Sequence, residues 1–194
     1  MTKIIAIVGA LATLALAAPS PAGDVVPRAC TTILPSSIDV LDSAHPNTAN
    51  VGQRFTLRRS GSPGSSVTNK KISAFTFTDI PAGATGCTLQ VNVPPLTTAN
   101  QIAWGSNQAE FWTTNAWTAA NAPTWSNPPT RGQMVSTFQF PTGVTTTSTQ
   151  QNLASNTCSN TMSFLALLSD WQGAEGQVDF TQGADLGFKL IYNC

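Results

Sequence analysis

The chain has 194 residues, of which nine are Lys or Arg and nine are Asp or Glu, so its formal charge at pH 7 is zero. This balance excludes the basic surface that nucleic-acid binding requires, and it offers no polybasic patch to a membrane. Hydrophobic residues make up 41% of the chain, which argues against wholesale disorder and suits one folded domain. We therefore expect a monomer that binds neither nucleic acid nor membrane.

The first residues have the pattern of a secretory signal peptide. Lys3 supplies a positive start, and an apolar run follows from Ile4 to Ala18. That run is shorter than the roughly 20 residues that a membrane-spanning helix needs. Ala15-Leu16-Ala17 provides the small residues that precede a cleavage site. The sequence thus predicts a signal peptide over residues 1–17 and a secreted product, either extracellular or associated with the cell wall.

Residues 18–29 are rich in proline and carry no hydrophobic periodicity. This composition predicts a linker, or a short pro-segment that is removed after Arg28. The folded domain is then expected to cover residues 30–194.

Four cysteines fall within that domain: Cys30, Cys87, Cys158 and Cys194. An even number of cysteines in a secreted chain predicts two disulfide bonds. Their wide spacing fits no CxxC metal or redox motif. Among the three possible pairings we favour Cys30–Cys194 with Cys87–Cys158, because chain ends often lie close together in a domain.

Apolar and polar residues alternate with a period of two in several segments, which predicts half-buried strands. The clearest examples are residues 87–93, 134–140, 176–182 and 186–194, whereas residues 163–168 are apolar at nearly every position and indicate a strand covered on both faces. Turn sequences rich in Gly and Pro separate them. Eight to ten short strands with this spacing predict an all-β fold, an antiparallel β-sandwich or jelly-roll-like single domain.

Most catalytic motifs are missing. His45 is the sole histidine, so no Ser-His-Asp or Cys-His arrangement is expected, and no glycine-rich phosphate loop occurs. We therefore predict no catalytic residues, no metal and no cofactor. Two alternatives stay open: Glu110 and Glu175 as the paired carboxylates of a glycan-active enzyme, and the acidic residues between 170 and 185 as a calcium site without DxDxDG spacing.

Tryptophan is concentrated in one part of the chain, with four residues in a stretch of 22: Trp104, Trp112, Trp117 and Trp125. Exposed indole rings can lie flat against sugar rings while nearby amides bind the hydroxyls, but large aromatics also fill cores. Trp125 has the surroundings of a structural loop residue. The ligand-binding candidates are therefore Trp104, Trp112, Trp117, Asn115 and Asn121.

Several segments together resemble a fungal family, the ubiquitin three binding protein But-two C-terminal domain. They are ACTTILP at the start of the domain, FTDIPAGATGCTLQV, APTWSNPPTRG before FQFP, CSNTMSFLALLSD, and the closing GQVDFTQGADLGFKLIYNC. The resemblance spans Ala29 to Cys194 and implies a secreted β-sandwich with a four-cysteine layout. It brings no catalytic residue set. The family name implies an intracellular partner, so its binding function is not carried over to a chain with an export signal.

Three roles are compatible with these features. The preferred one is a non-catalytic module that binds extracellular or cell-wall polysaccharide. The others are a structural wall protein or secreted factor that binds a protein partner, and a glycan-active enzyme.

Overall fold

The computed structural model describes residues 29–61 and 68–194, so the predicted signal peptide and the segment up to Arg28 lie outside the described residues. Within the described ranges no helix is long and apolar enough to span a membrane. Apart from two short 3-10 turns, Ala119–Asn121 and Asp170–Gln172, the regular structure there is all strand. The strands are β1 Thr31–Ile33, β2 Ser37–Asp42, β3 Val51–Gly52, β4 Arg54–Ser60, β5 Thr68–Phe77, β6 Cys87–Val93, β7 Ala103–Gly105, β8 Gln108–Thr114, β9 Arg131–Gln139, β10 Thr149–Asn156, β11 Met162–Leu168, β12 Gly176–Thr181 and β13 Gly187–Tyr192.

The strands form two antiparallel sheets, which confirms the predicted all-β sandwich. The small sheet has four strands in the order β1-β13-β6-β10. The large sheet has nine, in the order β7-β12-β4-β5-β11-β8-β9, with β2 pairing to β5 and β3 pairing to β2. Neighbours in both sheets come from distant parts of the sequence, so the topology brings together residues that no local motif connects.

The periodic segments of the sequence correspond to strands in the structure. The alternating segment 87–93 is β6, and the remaining three predicted half-buried segments contain most of β9, β12 and β13. All seven residues of β11 are buried, as its apolar composition predicted. The described residues form thirteen strands where eight to ten were expected, and several of them were not identified from the sequence. One of these is β2, in which two aspartates interrupt the apolar pattern.

The core between the sheets is aromatic, and Phe188 lies at its centre. This residue belongs to the small sheet, and its ring centroid lies 4.6 Å from Phe75 and 4.9 Å from Phe55. Phe111 and Phe180 follow at 5.6 and 6.1 Å. All four partners belong to strands of the large sheet. One side chain therefore joins the two layers, and ring pairs at these distances add to the hydrophobic contribution of burial.

The backbone on either side of this ring is held by the buried side chain of Gln182. Its Oε1 accepts a hydrogen bond of 2.8 Å from the Phe188 amide, and its Nε2 donates one of 3.1 Å to the Phe188 carbonyl. The preceding residue is Gly187, with φ of +124°, and a Cβ there would collide with the Gln182 side chain. Glycine is thus required at 187 both by conformation and by space.

Both predicted disulfides are present, with the favoured pairing. The Cys30–Cys194 bond joins the segments that flank β1 and β13, which pair at Thr31 and Tyr192. The second bond links the first residue of β6 to the segment after β10. Closed loops of this length contribute about 4 to 5 kcal/mol each in the chain-entropy account of disulfide stabilisation.

A second, smaller core covers the opposite face of the large sheet. The segment between β8 and β9, residues 115–130 and here called the Trp117 loop, folds back over β2, β5 and β11. The Trp117 ring packs against Leu41, Ala74 and Leu165. Its backbone is fixed as well, because Thr76 Oγ1 donates to its carbonyl at 2.9 Å. This loop explains why β11 is buried on both faces.

Replacement of Phe188 by Ala should lower the free energy of unfolding by about 3 to 5 kcal/mol, the range for large aromatic deletions in a core. The reason is that the substitution removes the ring that contacts both sheets at once. Urea unfolding followed by fluorescence measures the change. Val144→Ala is the control, because Val144 is 62% exposed and its loss should change stability by less than about 0.5 kcal/mol. A cost below about 1 kcal/mol for Phe188→Ala would contradict the central role of the ring.

Candidate functional site

The four clustered tryptophans do not form one surface. Trp104 is 37% exposed, whereas Trp117 is only 3% exposed. Trp112 and Trp125 are half-buried, and Trp125 packs against the small core of the Trp117 loop, in agreement with its expected structural role. The cluster in sequence therefore separates into loop residues that support the fold and side chains that reach solvent.

The structure does not support Trp117 as a ligand-binding residue. Its ring is enclosed by Leu41, Ala74 and Leu165, so neither face is open to a sugar. The sequence could not reveal this burial, because the residues that cover the ring come from three other strands. We do not retain Trp117 in the candidate site.

The two asparagines predicted alongside it bond to the loop backbone. Asn115 Oδ1 accepts a 2.6 Å hydrogen bond from the Thr130 amide, which closes the base of the loop. Asn121 Oδ1 accepts from the amide and hydroxyl of Thr118, at 2.7 and 2.9 Å. Both side chains are exposed, but these bonds give them a structural role.

Trp112 lies on β8 with its indole largely engaged by neighbours. Its Nε1 donates to Glu110 at 3.1 Å, and the Arg131 guanidinium lies 5.7 Å from the ring centroid. A cation above an indole face is a favourable contact that also blocks that face. A ligand would have to displace Arg131 to stack on that side of the ring.

Trp104 is placed differently, at the end of a row of polar residues. It pairs with Gln177, which pairs with Arg58, which pairs with Lys71, which in turn pairs with Asp42. Directly opposed residues of antiparallel strands project from the same face of a sheet. The exposed indole is therefore the edge of a continuous strip of charged and amide side chains.

The four polar residues of this strip help to line a cleft of about 340 Å³, and Trp104 lies next to Gln177 outside that lining. We call it the charged cleft, and it is lined by residues from β2, β4, β5 and β12 and the segment before β3: Val40, Asp42, Asn50, Arg54, Thr56, Arg58, Lys71, Gln177 and Asp179. Sequence reasoning missed this site. The signal that was available is the alternation of Arg54, Thr56 and Arg58 in β4, which places polar side chains on one face of a strand whose other face is core.

Both carboxylates of the charged cleft are ionised and paired. Burial alone would raise the pKa of Asp179, but hydrogen bonds from Arg54 and Thr56 and the charges of Arg54 and Lys71 lower it. Burial would likewise raise the pKa of Asp42, but the Ala44 amide, Lys71 and His45 lower it. Thr56 Oγ1 donates to Asp179 at 2.9 Å, and Lys71 Nζ lies 3.0 Å from Asp42.

Arg58 differs from the other cations of the cleft. Arg54 donates to Asp179 through two nitrogens, and Lys71 pairs with Asp42. Arg58 is exposed, and among the residues that the structure describes no acidic side chain forms a salt bridge with it. Its guanidinium is therefore the open charged group of the cleft.

The two glutamates considered for catalysis lie elsewhere. Neither lines the charged cleft. Glu110 is 8% exposed on β8, where it accepts from Trp112, while Glu175 accepts a 3.0 Å hydrogen bond from the Gly61 amide. Each carboxylate thus has a local structural partner.

Two of the acidic residues considered for calcium, Asp170 and Asp179, face cations instead. Asp170 lies 3.4 Å from Lys70 and 3.6 Å from Arg59, and Asp179 is paired with Arg54. Over residues 29–61 and 68–194, no group of three or more His, Cys, Asp or Glu side chains is placed to hold a metal ion.

Comparison with known proteins adds no relative: no protein-family model matches the chain, and no curated protein matches it either. The function is therefore inferred from the geometry of the cleft and its surroundings.

The two tryptophans that differ most in exposure should differ in their effect on stability. Trp117→Ala should lower the free energy of unfolding by about 3 to 5 kcal/mol, because it empties the small core. Trp104→Ala should cost less than about 1 kcal/mol, because its ring already contacts water. Urea unfolding of both variants checks the order, and equal costs would contradict the separation of loop and cleft tryptophans.

The paired state of Asp179 predicts a pH-dependent stability. Because its pKa is lower in the folded chain than the ordinary value of about 3.9, the pair stabilises the fold above that value and the contribution is lost as the pH falls through the lowered pKa. The free energy of unfolding of Asp179→Asn should therefore lie below that of wild type at pH 7, and the gap should narrow as the pH is lowered below about 3.9. Unfolding in urea over a series of pH values measures this difference. Asp185→Asn, at an exposed position, is the control, and a gap that stays constant with pH would contradict the assignment.

Proposed function

We infer that this protein is a non-catalytic module that binds extracellular or cell-wall polysaccharide through the charged cleft and Trp104. The observation that carries the proposal is the exposed indole at the end of the Gln177, Arg58, Lys71 and Asp42 row. An aromatic platform beside polar groups that fix orientation is a recurrent design for ligand sites.

The chemistry of sugars explains why this combination is suitable. A pyranose ring has an apolar face of C–H groups and an edge of hydroxyls. Trp104 supplies a flat apolar surface at 37% exposure, and the amide of Gln177 is on the neighbouring strand.

The ionisation of the cleft carboxylates supports a binding role over an enzymatic one. Glycoside hydrolysis normally needs one carboxyl group whose raised pKa keeps it protonated as the general acid. The pKa values of Asp42 and Asp179 are both lowered, each with a cation at hydrogen-bond distance. Neither is thereby suited to donate a proton at neutral pH.

Two disulfides favour an oxidising compartment, in support of secretion after removal of residues 1–17. The same sandwich and cysteine pairing agree with the proposed kinship to the fungal But-two C-terminal domain family. On this proposal the domain of residues 30–194 acts outside the cell, on wall or substrate polysaccharide.

The test uses the full chain, secreted from a yeast host and purified after processing, with insoluble chitin, β-glucan and cellulose as ligands. We expect saturable retention on at least one of them, accompanied by a change in tryptophan fluorescence. Trp104→Ala should weaken retention about tenfold or more, a loss equivalent to about 1.4 kcal/mol. Trp171→Ala is the matched control, because Trp171 is 62% exposed and lies outside the row of paired residues that ends at Trp104.

Equal retention of both variants would remove Trp104 from the binding surface. If the protein binds none of these insoluble polysaccharides and no soluble polysaccharide such as polygalacturonate or dextran, the proposal fails. A structural wall role or a protein partner would then be the remaining readings.

A further inference from the structure

The cleft that carries the proposed function has an excess of cations in a chain of zero formal charge. Arg58 and Lys71 also line a small adjoining hollow of about 20 Å³, which adds Arg59 and Lys70 to the same region. Three cations, Arg54, Arg58 and Lys71, thus face the two carboxylates of the cleft. In the adjoining hollow, Arg59 is buried, and Asp170 pairs with both Arg59 and Lys70. Opposite charges elsewhere in the chain compensate for this excess, so it is a local property of the site.

The two carboxylates of the cleft are already paired with protein donors. Asp179 receives hydrogen bonds from Arg54 and Thr56, and Asp42 receives them from the Ala44 amide and Lys71. A neutral sugar presents hydroxyls that both donate and accept. The cleft has few unoccupied carboxylate lone pairs to receive the donors.

The charged cleft also contains N–H donors that are not paired with a carboxylate of the described residues, and they belong to Arg58. The guanidinium of Arg58 has five N–H groups, and within the described residues none of them donates to a carboxylate. Its planar fork matches the two oxygens of a carboxylate, which makes Arg the preferred residue for bidentate recognition of such a group.

We propose that the ligand of the charged cleft is an acidic polysaccharide whose sugar carboxylates pair with Arg58 while a neighbouring ring stacks on Trp104. This inference rests on the proposed function and narrows it to uronic-acid-containing glycans. Arg58 is a specificity residue here, and Lys71 adds a long-range attraction that salt screens.

The test compares pairs of polysaccharides that share a backbone and differ in charge. Polygalacturonate and its fully methyl-esterified form share a backbone and differ in charge, and dextran sulfate with dextran tests a sulfate group in the same way. Affinity electrophoresis or calorimetry with the full processed chain measures the dissociation constants. We expect polygalacturonate to bind about tenfold or more tightly than its methyl ester, which is the difference that one charge-assisted pair provides. The affinity for polygalacturonate should also fall with added NaCl.

Variants of Arg58 then assign the effect. Arg58→Gln should remove the preference for the free acid while leaving the affinity for the ester unchanged, and Arg58→Lys should restore only part of it. Arg131→Gln is the control, because Arg131 is exposed and contacts Trp112 away from the cleft. Unchanged unfolding midpoints for these surface variants establish that folding is intact.

Two outcomes would overturn the inference and leave the glycan-binding proposal standing. One is equal affinity for the acid and the ester with no effect of Arg58→Gln, and the other is dextran sulfate binding as well as polygalacturonate with the same dependence on Arg58. Binding of none of these soluble polysaccharides, together with no retention on the insoluble ones, would overturn both.

Discussion

The contact of Phe188 with four rings of the large sheet is the interaction on which the two-layered structure depends. The small sheet has only four strands, and β13 lies between β1 and β6 in it. A displaced ring would therefore separate the layers near their middle. The Gln182 amide fixes the backbone at that point by bonding to both the N–H and the C=O of Phe188, so packing and hydrogen bonding place the same residue. Gly187 completes the arrangement by leaving room for that amide.

The charged cleft is a consequence of how the large sheet is ordered. Strand β5 pairs with both β2 and β4, and β4 pairs with β12, so side chains from positions 42, 58, 71 and 177 meet in one row. The core side of β4 is occupied by Phe55 and Leu57, both fully buried. The alternate positions of that strand must then present their side chains away from the core, and three of them are Arg54, Thr56 and Arg58. The same period of two that builds the core therefore builds the cleft.

The sequence alone was sufficient to predict the fold class, because the alternation at 87–93 and 176–182 depends only on local pattern. The favoured pairing of the four cysteines, one of three possible, was also correct. The sequence was insufficient for β2, where Asp39 and Asp42 interrupt the apolar pattern. Asp42 is stabilised in this buried strand by its pair with Lys71. One oxygen of Asp39 accepts a 2.6 Å hydrogen bond from the Asn50 backbone N–H, while burial raises the pKa of this carboxyl group. The candidate site was only partly foreseen: Trp104 was named, but its polar neighbours come from strands far apart in sequence. The burial of Trp117 was equally hidden, since its loop is closed over residues of β2, β5 and β11.

The pairing of β1 with β13 has a further meaning for how the chain reaches its folded form. Cys30 precedes the first strand of the domain, and its partner Cys194 follows the last, 164 residues later. During synthesis, Cys30 therefore has no native partner until Cys194 has been added, whereas Cys87 and Cys158 can meet earlier. Strand β1 likewise has no native partner strand until β13 has been synthesised. Unpaired strand edges are prone to non-native pairing. The β1–β13 pairing and the Cys30–Cys194 disulfide are therefore expected to form last.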